Sequence, residues 1–312
     1  PARDGLAVDA PGGLLSFVEV LQFEYPHYDV WYELLDLGVP LTPTAGTDFP
    51  CGPWSIPGRE RFYTRLDGPL DRERWLEGVR RGRTFVTNGP LLELTVGGAG
   101  IGDTLRLDRP GPVRVIGVVR FDRDRDHVTR VELIRNGLPV ASRTPDTSTG
   151  SIRLVASVQV EGPAWFALRV EGDKVGETPL EPMGLPGWLM DLGRNVASGA
   201  SIEEREAFAA ARATRVSAAH TAPIYVSVAG QPPLGWQPGA ADRAREWLAR
   251  LDALEAKLAD DRIGDFTIWD WVPYSDGVSE EHLRRNRAAL LAVIAESREF
   301  YQRRLGAAPP AR

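Results

Sequence analysis

Thr129-Arg-Val-Glu-Leu-Ile-Arg-Asn-Gly-Leu-Pro-Val-Ala141 places partly alternating apolar residues on either side of Asn136-Gly137. An Asn-Gly pair tolerates the successive positive φ angles of a two-residue hairpin turn, so this stretch predicts two antiparallel strands. Similar short segments surround it: Leu91-Leu-Glu-Leu-Thr-Val96, Val113-Arg-Val-Ile-Gly-Val-Val119, Ser151-Ile-Arg-Leu-Val-Ala-Ser-Val158 and Trp165-Phe-Ala-Leu-Arg-Val170. Gly97-Gly98 and Gly172-Asp173 punctuate them. Strands at this spacing predict an antiparallel β-sandwich over residues 91–232, with Ile224-Tyr-Val-Ser-Val228 as its last strand and a helical insertion near 200–215. Trp165 and Phe166 read as core residues of that sandwich rather than as a carbohydrate platform.

Upstream, residues 1–90 read as mixed α/β. Leu15-Ser-Phe-Val-Glu-Val-Leu21 has the apolar density of a buried strand. Val30, Leu34, Leu35 and Leu37 follow at near-helical spacing, with Gly38 as the stop. Thr44-Ala-Gly-Thr-Asp48 is a strand end carrying a carboxylate, and Gly58 to Leu66 alternates as a strand. Asp71 caps a helix expected over Arg72–Arg81, closed by Gly82. Residues 238–306 form a helical tail in which Ala240, Ala244, Trp247, Leu248, Leu251, Leu254 and Leu258 make one apolar stripe. A final helix is expected from Val278, with Ser279 as N-cap, through Phe300.

The chain has 312 residues, enough for two domains, and its 43% hydrophobic share with 9 Trp, 10 Phe and 7 Tyr fills sizeable cores. No apolar run reaches the roughly 20 residues a membrane span requires. A net charge of −6 argues against a nucleic-acid surface. One cysteine excludes an internal disulfide framework and a multi-cysteine zinc site, and four histidines limit metal chemistry. The chain opens on Pro1 rather than Met, so it is expected to be a processed chain or a fragment.

Several residues are candidates for chemistry. Asp48, where a strand runs into Phe49-Pro-Cys-Gly52, suits a divalent metal ligand, because strand ends hold ligands rigidly; spacing alone favours an Asx-turn or a cap. Cys51 is either a ligand or thiol lining the same loop, or a small buried hydrophobe. Glu19 is strand-edge decoration or a functional carboxylate, and Glu24 and His27 are loop ligands or ordinary loop polarity. Arg59, Arg61, Tyr63 and Arg65 would share one side of a period-2 strand, forming a positive strip for an anionic or carbonyl group or a solvated face. Thr87-Asn-Gly-Pro90 reads as a domain-crossing turn, and His220, ahead of a buried strand, as structural. No dinucleotide fingerprint, P-loop, HExxH, GxSxG or EF-hand loop is present.

Taken together, Gly13-Leu-Leu-Ser-Phe-Val-Glu-Val20, Ala45-Gly-Thr-Asp48, Gly58-Arg-Glu-Arg-Phe-Tyr63, Gly82-Arg-Thr-Phe-Val-Thr-Asn-Gly-Pro90 and Ala219-His-Thr-Ala-Pro-Ile-Tyr-Val226 resemble the C-terminal portion of CehA/McbA-type metallohydrolases, relatives of the PHP superfamily. The matching blocks run in order through most of residues 6–228. The resemblance implies the C-terminal part of a distorted PHP-like α/β barrel over residues 1–90, followed by the sandwich and helical tail. It makes Asp48 a metal ligand; where relatives often place a histidine two residues later, this chain has Pro50. The early His-x-His ligands would lie upstream of Pro1. The implied partner is a small-molecule substrate, the implied cofactor is a divalent ion (zinc, manganese or iron), and the implied reaction is hydrolysis of an ester, carbamate or phosphoester by metal-activated water. Arg59 or Arg61 would steady the substrate. A non-catalytic alternative makes the sandwich an accessory module for a glycan, a partner or the rest of its own chain.

Overall fold

A computed structural model of the chain describes residues 2–22, 25–47, 57–146, 148–172, 217–237, 239–260, 267–268, 272–273 and 277–306. In chain order the elements are α1 (Ala2–Asp9), β1 (Phe17–Gln22), β2 (Tyr25–Pro26), α2 (Tyr28–Asp36), β3 (Thr42–Gly46), β4 (Arg61–Thr64), α3 (Arg72–Arg80) and β5 (Thr84–Thr87). There follow β6 (Leu91–Val96), β7 (Ala99–Gly100), β8 (Thr104–Leu107), β9 (Gly111–Arg120), β10 (Val128–Arg135), β11 (Leu138–Arg143), β12 (Ser151–Val160), β13 (Ala164–Gly172), β14 (Ala218–Thr221) and β15 (Ile224–Val228). The last are α4 (Ala240–Ala259), β16 (Thr267–Ile268), β17 (Val272–Pro273), α5 (Gly277–Arg285) and α6 (Arg287–Arg304). The architecture is mixed α/β and dominated by sheet; the described residues form no closed barrel. No helix among them is long and apolar enough to cross a membrane.

The chain divides into two compact units that are not continuous in sequence: Pro1–Ser16 with Asp29–Leu41 and Ala229–Arg312, and Phe17–Tyr28 with Thr42–Val228. In the larger, second unit two sheets share one core. One runs β12-β9-β6-β7; the other runs β11-β10-β13-β14-β5-β4, with β15 on β13 and β8 on β15. Leu92, Leu94, Val115, Val119 and Leu154 from the first meet Val131, Leu133, Phe166, Leu168 and Ile224 from the second. Each such side chain contributes about 1.5–3 kcal/mol on leaving water. Gly117 makes the close approach possible: a Cβ there would lie 2.8 Å from Leu168 Cδ1.

The Asn136-Gly137 turn forms as its sequence requires, with φ of 47° and 79°. Asn136 also ties the hairpin to the next strand. Its Oδ1 accepts from the Trp165 backbone N–H at 2.9 Å, and its own N–H donates to the Trp165 carbonyl at 3.1 Å. Pro139, which cannot donate to a ladder, sits in β11 at the end of the sheet order, beside a register shift between Leu133 and Ile134.

Around this core lie a three-stranded sheet, β2-β1-β3, and helix α3. β1 and β3 are parallel, so both point their C-terminal ends the same way. β3 is fastened to its neighbours by hydroxyls: Thr84 Oγ1 donates to the Pro43 carbonyl at 3.1 Å, and Thr42 Oγ1 to the Val79 carbonyl at 2.8 Å. α3 is capped by Asp71, whose Oδ1 accepts from the Glu73 N–H at 3.0 Å, and it closes on Gly82 at φ 67°. Asp71→Ala should lower unfolding free energy by about 1 kcal/mol, measurable by urea denaturation, because an orphan helix N–H loses its acceptor.

The first unit is helical. The predicted stripe on α4 is buried at Ala240, Ala244, Trp247, Leu251 and Leu258. Trp247 stacks on Tyr301 of α6 at 6.0 Å, and the Tyr301 hydroxyl donates to the Ala7 carbonyl at 3.0 Å. Arg304 donates from Nε to the Leu37 carbonyl just past the end of α2 at 2.6 Å and lies over the Phe300 ring. Burial draws its pKa down to about 10. The single final helix expected from Val278 is instead two, divided at Asn286. The Asn286 side chain donates to the His282 carbonyl at 2.8 Å, a local bond with which asparagine competes against a regular helix.

Candidate functional site

The C-terminal edge of the parallel pair β1/β3 is where the expected chemistry would sit. Glu19 on β1 is registered with Thr44 on β3, and a bulge follows between Glu19 and Leu21. Its carboxylate lies over Gly46, the last residue of β3: a Cβ at Gly46 would come within 2.9 Å of Glu19 Oε2. A larger residue there would have to displace the exposed end of the Glu19 side chain. Asp48 and Cys51, two and five residues beyond Gly46, lie outside the described residues, as does Glu24. His27 is exposed, and its backbone N–H donates to the Val20 carbonyl at 2.7 Å, which holds the chain against the end of β1.

These donors bear on the metal expectation. Glu19, within β1, is a hard oxygen donor and His27, just after β2, a nitrogen donor, types that suit a divalent ion of the zinc–manganese–iron range. Among the described residues no three metal-ligating side chains converge.

The arginine strip is rearranged relative to the simple alternation. β4 covers only Arg61–Thr64. Arg59 precedes it, largely buried at 12% exposure, with Nε donating to Glu60 Oε1 at 3.0 Å. Arg65 follows it, and its backbone N–H donates to the Arg83 carbonyl. Arg61 and Tyr63 do share a face: Arg61 Nε donates to the Tyr63 hydroxyl at 3.1 Å, and Tyr63 stacks on Phe85 at 5.0 Å. Phe85 packs against the sandwich core, so this is the core-side face of the sheet.

His220 lies on the opposite face. It is registered with Val86 and with Arg169, and it is fully buried. Its Nδ1 must donate, because its partner at 2.7 Å is the Thr221 carbonyl, which only accepts. The proton is therefore on Nδ1. Tyr28 covers the imidazole at 4.5 Å. Burial pulls the His220 pKa down to about 3, the Thr221 carbonyl pulls it up in part, and the Arg169 charge lowers it further. Arg169 is itself clamped by Glu132, with Nε at 3.0 Å and a terminal N–H at 2.6 Å from Oε2. The sheet thus separates Arg61 and Tyr63 from the Tyr28–His220 pair.

Thr87-Asn-Gly-Pro90, expected as a domain-crossing turn, lies inside the second unit and ties β5 to β14. Thr87 Oγ1 donates to the Pro90 carbonyl at 2.6 Å, and Asn88 Oδ1 accepts from the Ala218 backbone N–H at 2.9 Å, across 130 residues of sequence. Trp165 and Phe166 are both fully buried, so neither offers a sugar platform. Sequence reasoning passed over Glu60, a carboxylate only 3% exposed at the entry to β4. Its arginine-rich surroundings read as a solvated strand, and only its rarity as a buried carboxylate marks it. Comparison of the chain with protein-family models, with curated proteins and with solved structures finds no match.

Proposed function

We propose that this chain carries part of the metal centre of a hydrolase acting on an ester, carbamate or phosphoester bond, located at the C-terminal edge of β1 and β3. The observation that carries this reading is the Glu19 carboxylate lodged over Gly46, at the end of a parallel strand pair that leads directly to Asp48. Ends of parallel strands gather loops that carry ligands while the sheet holds their bases rigid. The order of the sequence blocks supports the finer reading, in which β1 and β3 belong to the last part of a PHP-like barrel.

Glu19 and Asp48 would hold a divalent ion through oxygen, with His27 and Glu24 as the adjacent loop donors and Cys51 lining the same loop. Such an ion supplies Lewis-acid polarisation of the scissile carbonyl or phosphoryl oxygen. Arg59, paired with Glu60, would steady an anionic substrate group. Arg61 and Tyr63, bonded to each other, form a separate polar surface on the core-side face.

Calorimetric titration of zinc and manganese into the chain tests this directly. Glu19→Gln and Asp48→Ala should each weaken divalent binding by about tenfold or more, a loss of about 1.4 kcal/mol or more. Hydrolysis of aryl ester and aryl phosphoester substrates by the full-length protein should fall with them. Wild-type metal affinity in both variants overturns the reading.

A further inference from the structure

We propose that the cleft between α3 and the chain leaving β4 binds a phosphate-type dianion, gripped by Arg65 and Arg74. The cleft has a volume of about 340 Å³, and Arg65, Asp67, Arg74, Glu77, Arg81 and Arg83 form its charged wall. It lies within the second unit and is independent of the metal-centre reading. Its floor is rigid because α3 presses onto the strand exit at Gly78, where a Cβ would meet Thr64 Cγ2 at 2.5 Å and the Arg65 carbonyl at 3.1 Å.

The charges in the wall do not cancel evenly. Arg83, only 18% exposed, pairs with Asp67 and lies 3.7 Å from Asp103. Arg83 holds the Asp67 carboxyl below the usual carboxylate range, so that carboxylate is already committed. Arg81 Nε donates to Glu77 at 2.6 Å, and the remaining wall carboxylate, Glu73, pairs with Arg72 at 2.7 Å. Two guanidinium groups are held more loosely. Arg65 makes only a long, exposed ion pair with Asp67, at 3.8 Å. Among the described residues Arg74 donates to the Pro69 carbonyl at 3.3 Å and has no carboxylate partner.

A guanidinium presents a planar fork of N–H donors that matches paired anionic oxygens. A monoanionic carboxylate is satisfied by one fork, whereas a phosphate group offers enough oxygens and charge for two. The cleft is larger than a phosphate group, which leaves room for a small organic substituent on a phosphomonoester. Arg65 is 63% exposed, so solvent screening holds the expected affinity near the millimolar range.

Titration of inorganic phosphate and of phenyl phosphate into the full chain at constant ionic strength, followed by ³¹P NMR, reads this out. One saturable site is expected for phosphate, weakened about tenfold in Arg65→Ala and in Arg74→Ala and unchanged in the exposed control Arg109→Ala. Arg74→Lys, which keeps the charge but not the fork, should fall between. Phenyl phosphate binding as well assigns the site to phosphomonoesters; inorganic phosphate binding alone assigns it to the free ion. Matching thermal midpoints show that the variants stay folded. Absence of saturable binding, or wild-type affinity in either alanine variant, overturns the proposal.

Discussion

Between pH 7 and pH 5 the chain should lose about 2 kcal/mol of unfolding free energy through His220 alone. The folded imidazole has a pKa of about 3 against an ordinary value of 6.5, so the unfolded state takes up the proton first as pH falls. A depressed pKa contributes stability that is fully present above 6.5 and is lost progressively as pH drops toward 3. The physical cause is geometric. His220 is fully buried beneath Tyr28, its Nδ1–H is committed to the Thr221 carbonyl, and the cation Arg169 stands in the neighbouring strand. A second proton would place a charge in that buried setting, beside the Arg169 cation. Urea denaturation at a series of pH values checks this, with His220→Phe as the comparison. Phenylalanine keeps a ring against Tyr28 and cannot titrate, so its stability should vary less steeply over the same interval. Equal slopes in the two proteins would falsify the assignment.

How far such features can be read from sequence depends on whether their cause is local. The Asn136-Gly137 turn and the Asp71 cap follow from the conformational preferences of a few adjacent residues, and both form as expected. The alternation of β6 reads directly as one buried and one exposed face. The apolar first half of β13, Ala164 to Leu168, is buried on both sides, which is what a strand between β10 and β14 requires. The break at Asn286 was not legible, because the apolar spacing continues across it and the backbone bonds from Asn286 to His282 and from Leu290 to Asn286 persist through it.

The candidate site was legible to a smaller extent. That Glu19 sits over Gly46 depends on a parallel register and a bulge between segments more than twenty residues apart, which no local pattern specifies. Arg61 and Tyr63 were correctly placed on one side of a strand, but which side faced the core was set by pairing with Phe85 and Thr87. His220 and Glu60 carry the same lesson. Their burial comes from partners far along the chain or from tertiary enclosure, and burial is what makes a titratable group chemically unusual.

Trp165→Ala should be the most damaging single substitution considered, lowering unfolding free energy by about 3–5 kcal/mol. Trp165 and Phe166 are neighbours on β13 and point to opposite faces, yet both are fully buried. Phe166 belongs to the core shared with the opposing sheet. Trp165 fills the other face, opposite Tyr225, while its backbone N–H and carbonyl close the Asn136 bracket. Alanine would leave the bracket intact but open a cavity the size of an indole, and a packed interior relaxes into such a space only in part. The same argument separates a core residue from a ligand platform. An indole serving a glycan would be exposed, and its removal would cost binding while sparing stability. Denaturation midpoints of Trp165→Ala and Trp165→Phe decide between them: the phenylalanine variant should recover part of the loss. A Trp165→Ala protein as stable as the wild type would show that the residue does not hold the fold.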